Sequence, residues 1–441
     1  MDGASLGLIW GLPFAGLLLS IAVLPLAVPS VWHRHDGKIA AFWGLCVAIP
    51  LMLQFGAAAA AIDLLRMLLL SYLPFIVLLL ALFTITGGIW IEGRIGGSTA
   101  RNTLALGIGA ALASIMGTTG ASMLLIRPLI RANGKRKFNA HVFVFFIFLV
   151  GNIGGSLTPL GDPPLFLGFL SGVAFFWPLV HLALPMLFCT VILLAVFAGI
   201  DSYVYRRDGG GGAYAPPFEL RGAINLVLLA LVLAVVFASG LIDLGLGLMI
   251  YSVPISGVDL ARDIVLLVLA GISMHLTPEN VREAHDFSWA PMLEVGMLFM
   301  AIFVTLIPVL AMLEAGEAGA LAGLHAALWH DGRPVNGMFF WLAGGLSSFL
   351  DNAPTYLIFF HAAGGDARQL MADLSVTLGA ISAGAVFMGA NSYIGNAPNF
   401  MVKSVVEGQG IRMPGFLTYM LWAACILLPL FAITGLIFFP S

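Results

Sequence analysis

The chain has 441 residues, 60% of them hydrophobic and 9% charged, with a mean hydropathy of +1.03. Soluble domains carry about a quarter charged residues, so this composition excludes them and describes a polytopic helical membrane protein. The net charge of −3 gives no reason to expect nucleic acid, and the 3 cysteines, Cys46, Cys189 and Cys425, lie apart in apolar runs without metal-ligand spacing.

Residues 8–28 read as a first span, too long for a cleavable signal and lacking a basic start. Residues 32–38 (WHRHDGK) read as a short basic loop, 38–62 as a span back and 64–91 as a third span. A second basic loop, 92–101, carries Arg94 and Arg101. Residues 102–130 are apolar but broken at Gly117-Thr118-Thr119-Gly120, and Arg131, Lys135, Arg136 and Lys137 follow. The positive-inside rule puts both basic flanks in the cytoplasm, so this piece is expected to be a re-entrant hairpin with its tip near Thr118. Residues 140–172 cross outward and 177–200 return. The loop 201–221, glycine-rich from Gly209 to Gly212, divides a first half (1–200) from a second (222–441).

In the second half, 222–241 cross outward, 242–262 lie along the surface, 263–276 make a short crossing and 277–289 are polar. Residues 291–313 cross outward with Glu294, and 314–334 are external. Residues 335–361, broken at Asp351-Asn352-Ala353-Pro354, are expected to form a second hairpin, entering from outside. Residues 374–406 cross inward and 413–439 close the chain. The expectation is about ten crossings plus the two hairpins, with both termini outside. Basic residues from Arg34 and Lys38 to Lys403 and Arg412 then fall on the cytoplasmic side.

The span 140–172 contains GNIGGSLTPLGDPPLFLGF, residues 151–169. Its glycines, with Pro159, Pro163 and Pro164, must break the helix, and Asn152, Ser156, Thr158 and Asp162 stand at membrane depth. A simple proline kink would explain the break alone, but a second copy exists. Residues 389–401 read GANSYIGNAPNFM, and an offset of 234 lays Gly155 on Gly389, Gly161 on Gly395, Asp162 on Asn396 and Pro164 on Pro398. The same offset lays Ser114 on Ser348, Thr118 on Asn352 and Gly120 on Pro354. The expected fold is an all-α polytopic membrane protein of two inverted-topology repeats, each with a re-entrant hairpin and a broken transmembrane helix.

Broken helices expose carbonyl oxygens at one end and N–H groups with a positive dipole at the other. Together with hydroxyls, amides and carboxylates they suit a hard cation such as sodium. The candidates are Thr118 and Thr119; Asn152, Ser156, Thr158 and Asp162; Asp351, Asn352 and Thr355; and Asn391, Ser392, Asn396 and Asn399. Asp162 and Asp351 each sit at a break in a different repeat, where a carboxylate can hold a cation (Na+) or a proton in turn. The plainer alternative is that each caps a half-helix. Glu294 and Lys403 are possible coupling groups, although Lys403 equally suits an anchor that snorkels to the cytoplasmic surface. His141, His181, His275 and His361 fall near helix ends and read as interfacial. GxxxxGK[ST], HExxH and GxSxG are all absent, which counts against ATP-driven transport and an intramembrane hydrolase.

MGTTGASMLLIRPLIRAN at 116–133, FFIFLVGNIGGSLTPLGDPPLFLGFL at 145–170 and YIGNAPNFMVKSV at 393–405 resemble the ion-transporter superfamily. They are most similar to its bacterial branch of sodium/proton antiporters (NhaD-like) and citrate transporters. The resemblance covers nearly the whole chain. It implies two inverted repeats with the ion site between them, at Thr118, Thr119, Asn152, Thr158, Asp162, Asp351, Asn352, Asn391, Asn396 and Asn399. It also implies a homodimer that moves a transport domain against a scaffold. Dicarboxylate members carry Ser-Asn-Thr at both tips; here the tips read Gly117-Thr118-Thr119 and Asp351-Asn352-Ala353, which favours a cation over a carboxylate.

The function expected is therefore that of a sodium/proton antiporter in the bacterial inner membrane, with a cation-coupled carboxylate (citrate) symporter as the alternative. An embedded enzyme would need a nucleophile or metal cluster at depth, and none is legible. No cofactor is expected: sodium and protons are cargo, and small ions and the lipid bilayer are the partners.

Overall fold

The computed structural model describes residues 2–92, 97–208, 219–243, 245–284 and 287–440. Two features named above, Arg94 and the run Gly209 to Gly212, lie outside them. The helices in chain order are α1 (Leu12–Ala27), α2 (Pro29–Phe55), α3 (Ala57–Met67), α4 (Leu73–Thr86), α5 (Thr99–Met116), α6 (Thr118–Asn133), α7 (Ala140–Leu149), α8 (Pro163–Leu170), α9 (Trp177–Arg207) and α10 (Ile224–Ser239). They continue with α11 (Gly257–Leu276), α12 (Glu279–Ala284), α13 (Ala290–Glu314), α14 (Ala322–Leu328), α15 (Asn336–Ser347), α16 (Asn352–Ala362), α17 (Ala367–Ala372), α18 (Ser375–Met388), α19 (Ala397–Gly408) and α20 (Phe416–Phe438). The chain is an all-α polytopic membrane protein. Strands occur only as short antiparallel pairs among the described residues. They are β1 (Trp90–Glu92) with β2 (Glu219–Arg221), β3 (Gly247–Ile250) with β4 (Val253–Ser256), and β5 (Trp329–His330) with β6 (Arg333–Pro334).

Seven helical stretches are long and apolar enough to cross a membrane among the described residues, from Leu8–Pro25 to Phe416–Phe438. Of the other three expected crossings, 222–241 is one short helix, 263–276 lies within the charged α11, and 374–406 is divided between α18 and α19. The two expected hairpins are divided as well. α5 and α6 part at Gly117, and α15 and α16 part over residues 348–351. Ile224–Ser239 and Ser375–Asn391 are apolar but shorter.

Several expectations need correction, among them the start of the loop 201–221, since α9 runs on through Asp201 to Arg207. Residues 32–38 are not a loop. They lie within α2, which starts at Pro29, where the ring fixes a helical φ and the missing N–H is not needed. The chain turns at Val28 instead, and the Trp43 indole donates to Ser20 Oγ (3.1 Å), tying α2 back onto α1. Nor does the surface segment run to 262. Only the exposed β3 strand and its hairpin partner fit it, because Ser256 caps α11 by accepting from Val258 N, and the helix begins at Gly257. Arg262 is buried inside that helix, 2.8 Å from Asp259 Oδ1 and 2.9 Å from Asp263 Oδ1. Carboxylates one turn before it and directly after it let it enter the apolar layer.

Two buried polar nodes fix helices around the centre. Asn225 of α10 donates to Gly88 O (2.9 Å) and Thr277 Oγ1 (2.8 Å) and accepts from Ser273 of α11 (2.6 Å). Asp201, fully buried on α9, lies 2.7 Å from Arg136 and 2.6 Å from His141 of α7. His141 is thus a buried hydrogen-bond partner of Asp201 rather than an interfacial residue. Asp201→Asn keeps the shape but leaves Arg136 without that charge. Because removing one partner of a buried pair costs about 3–5 kcal/mol, we expect a clear fall in the thermal unfolding midpoint in detergent. An unchanged midpoint would show the pair to be ornamental.

Candidate functional site

The centre is built from interrupted helices. Gly117, at φ +82°, takes a backbone conformation that residues with a Cβ rarely adopt, and this lets α5 stop and α6 start one residue later. Thr118 N then donates to Gly161 O at 2.8 Å, so the first hairpin tip is tied to the break between α7 and α8. That break is extended at Asp162, and Pro163-Pro164 begins the next helix. The break between α18 and α19 is extended at Asn396, with Ala397-Pro398 following.

Asp162 is 1% exposed and receives donors from three separate elements. Thr118 Oγ1 donates to its Oδ1 at 2.9 Å, Asn396 Nδ2 donates to the same oxygen at 3.2 Å, and Asn352 Nδ2 donates to Oδ2. Both hairpin tips and the second broken helix therefore grip one carboxylate. Beyond it, Asn396 Nδ2 lies 3.3 Å from Asn152 Oδ1 and 3.1 Å from Gly151 O. Asn152 donates to Asn399 Oδ1 (2.7 Å), and Asn399 donates to Gly389 O (2.9 Å) and Ser392 O (2.8 Å). All of these side chains are buried.

Every donor to Asp162 is neutral: a threonine hydroxyl and two asparagine amides. Asn352 Oδ1 and Asn391 Oδ1 are buried acceptors that receive no hydrogen bond among the described residues. A buried carboxylate beside the spare Asn352 oxygen can take a proton or a small cation. It is not an acid-rich metal centre: no group of three or more His, Cys, Asp or Glu side chains gathers among the described residues.

The other expected site residues hold different positions. Asp351 is half-buried and caps α16, its Oδ1 accepting from Ala353 N at 3.0 Å. Ser156 donates to Ile153 O (2.9 Å), Thr158 to Ser114 O, and Asn391 to Ser348 Oγ (2.9 Å), so these three brace the loops. Thr119 is half-buried beside the tip, outside the hydrogen-bonded cluster. Glu294 on α13 accepts from the Trp32 indole at 3.3 Å, away from the centre. Lys403 pairs with Glu407 at 2.9 Å, one helical turn on, and lies 5.5 Å above the Tyr393 ring.

Sequence reasoning passed over Ser114 and Ser348, which served only to align the two halves. Ser114 Oγ donates to Gly154 O (2.5 Å), and Ser348 Oγ donates to Met388 O (3.2 Å). Thr158 donates back to Ser114 O, and Ser392 donates back to Ser348 O (2.5 Å). Leu160 N donates to Thr158 Oγ1, and Ile394 N to Ser392 Oγ, both at 3.2 Å. Each of these bonds recurs 234 residues later. The signal that could have found them is a lone hydroxyl a few residues before a helix break in an otherwise apolar run.

Long apolar helices around a buried polar centre made from interrupted helices define a secondary transporter embedded in the membrane. The family described as "Putative citrate transport" matches residues 3–439, and the chain belongs to that family. A comparison with curated proteins finds no match.

Proposed function

We propose that this protein is a sodium/proton antiporter of the inner membrane, in which Asp162 holds sodium and a proton in turn. The observation that carries the reading is the setting of Asp162, a buried carboxylate met by neutral donors from both hairpin tips. A lone buried charge is costly, so the core favours a loaded carboxylate, neutralised by either ion. A hydroxyl accepts as well as donates, and an amide that turns over presents its oxygen. Thr118, Asn352 and Asn396 can therefore serve both loaded forms. Since both tips touch the same carboxylate, its occupancy is felt by both hairpins, as alternating access requires. The bonds that recur at a constant offset support two inverted repeats, 102–130 with 140–172 and 335–361 with 374–406. A homodimer with one such centre per subunit fits this reading.

One observation favours the carboxylate symporter. Four helix N-termini, those of α6, α8, α16 and α19, begin within the cluster at Thr118, Pro163, Asn352 and Ala397, and positive dipole ends attract anions. Against it, Pro163, Pro164 and Pro398 remove N–H donors from two of those first turns, and the Asp162 carboxyl already takes the donors of Thr118, Asn352 and Asn396 that a carboxylate substrate would need. Reconstituted protein should acidify or alkalinise vesicles in response to a sodium gradient without citrate. Citrate-dependent sodium flux with no sodium-driven proton movement would replace antiport by symport. In the same assay Asp351→Asn should keep the helix cap, since asparagine caps as well as aspartate. It should shift the pH profile of exchange, because Asp351 directly precedes Asn352, whose amide donates to Asp162. An unchanged profile would leave Asp351 a cap only.

A further inference from the structure

We propose that a basic cavity at the ends of α7, α9 and α20 binds the phosphate of an anionic phospholipid headgroup. The cavity has a volume of about 620 Å³ and takes Arg136, Lys137, Arg207 and Arg412 into its lining, with no acidic residue among its described lining residues. Asp201 and Asp208 lie 2.7 and 3.9 Å from Arg136, Asp208 also accepting from Phe138 N at 3.4 Å, and they offset that guanidinium together with part of the remaining charge. A positive surplus is left at the mouth.

Phe138 gathers two of the cations from different elements. Lys137 Nζ lies 5.5 Å and Arg207 Cζ 5.8 Å from its ring centroid. Cations gathered around one ring in a basic cavity suit an anion, and guanidinium forks match phosphate oxygens. The start of α7 adds to this. Asn139, at its N-cap position, makes no side-chain cap and instead donates to Asn133 O at 3.1 Å. The first turn of this ten-residue helix thus keeps its positive end toward the cavity residues 138–141.

The rest of the lining distinguishes a lipid from a soluble phosphate. Ile200, Val204 and Ile411 are apolar, and Tyr203, 69% exposed, stands with Trp422 beside them. Aromatic residues next to Arg and Lys at the end of a long apolar helix are the pattern of a membrane–water boundary. A ligand with an anionic head and an apolar body matches both halves of the cavity. Basic pockets between helix ends on the cytoplasmic side take anionic headgroups for this reason.

The test uses the full chain in a neutral detergent, with the thermal unfolding midpoint and the lipid adducts seen by native mass spectrometry as readouts. Phosphatidylglycerol should raise the midpoint saturably and remain bound, and phosphatidylcholine should do neither. Lys137→Gln, Arg207→Gln and Arg412→Gln should each weaken phosphatidylglycerol binding about fivefold, and the triple variant should lose it. All three side chains are exposed, so the fold should survive. Arg206→Gln, a neighbour outside the lining, should bind normally. Equal stabilisation by phosphatidylcholine, or undiminished binding by the triple variant, would overturn the proposal. So would inorganic phosphate reproducing the shift at the same concentration, which would assign the cavity to a soluble anion.

Discussion

Asp162→Asn should reduce sodium-driven proton movement in proteoliposomes to background while leaving the protein folded. The amide has the shape of the carboxylate, so Thr118 can still donate to the retained oxygen. The charge is gone, and with it both the titratable group and the anion that would hold sodium. The second position becomes an NH2 facing the Asn352 amide, so a modest loss of stability, about 1–3 kcal/mol, is expected from the mismatch. Asp162→Asn together with Asn352→Asp moves the carboxylate across that contact and should recover stability before it recovers exchange. The decisive comparison is exchange against unfolding midpoint for the single variant. Near-normal exchange across a pH series would remove Asp162 from the ion path and turn attention to Glu294 or Lys403.

Gly161→Ala should be the most damaging single methyl in the chain's centre, and Gly395→Ala should resemble it. A Cβ on Gly161 would stand 2.1 Å from Gly155 O; one on Gly395 would stand 2.5 Å from Gly389 O and 2.7 Å from Ser347 O. These are backbone atoms inside a buried loop, so nothing can swing aside. Overpacking of this kind costs about 3 kcal/mol or more, and the displaced segment is the one that presents Asp162 or Asn396. We expect poor yield of folded protein and a sharply lowered midpoint for both. Gly408→Ala is the control: a Cβ there meets nothing within 4 Å. Two variants as stable as that control would mean that the loops flex more than their packing implies. A large effect at Gly161 with none at Gly395 would break the equivalence of the two halves.

Much of this was legible beforehand because bilayer chemistry constrains sequence so strongly. Twenty-odd apolar residues in a row must be a helix in hydrocarbon, and glycine and proline within such a run must interrupt it. Both breaks around 151–169 and 389–401, both hairpin tips, and the candidacy of Thr118, Asn152, Asp162, Asn352, Asn396 and Asn399 followed from that. The offset of 234 was visible as spacing alone, and the bonds of Ser114 and Ser348 recur at the same interval.

Composition could not say which polar residue at depth meets which, since that depends on how the elements pack in three dimensions. Only the tertiary structure made Asp162 the shared partner of two tips, Thr118 44 residues before it in the chain and Asn352 190 residues after it, and made Asp351 a cap on α16. It turned the basic stretch 32–38 into helix, because Pro29 starts a turn that charge patterning alone does not reveal. It also buried His141, Arg136 and Asp201 together. Hydropathy scores each residue singly, whereas an ion pair enters an apolar interior only when packing brings its partners to one place.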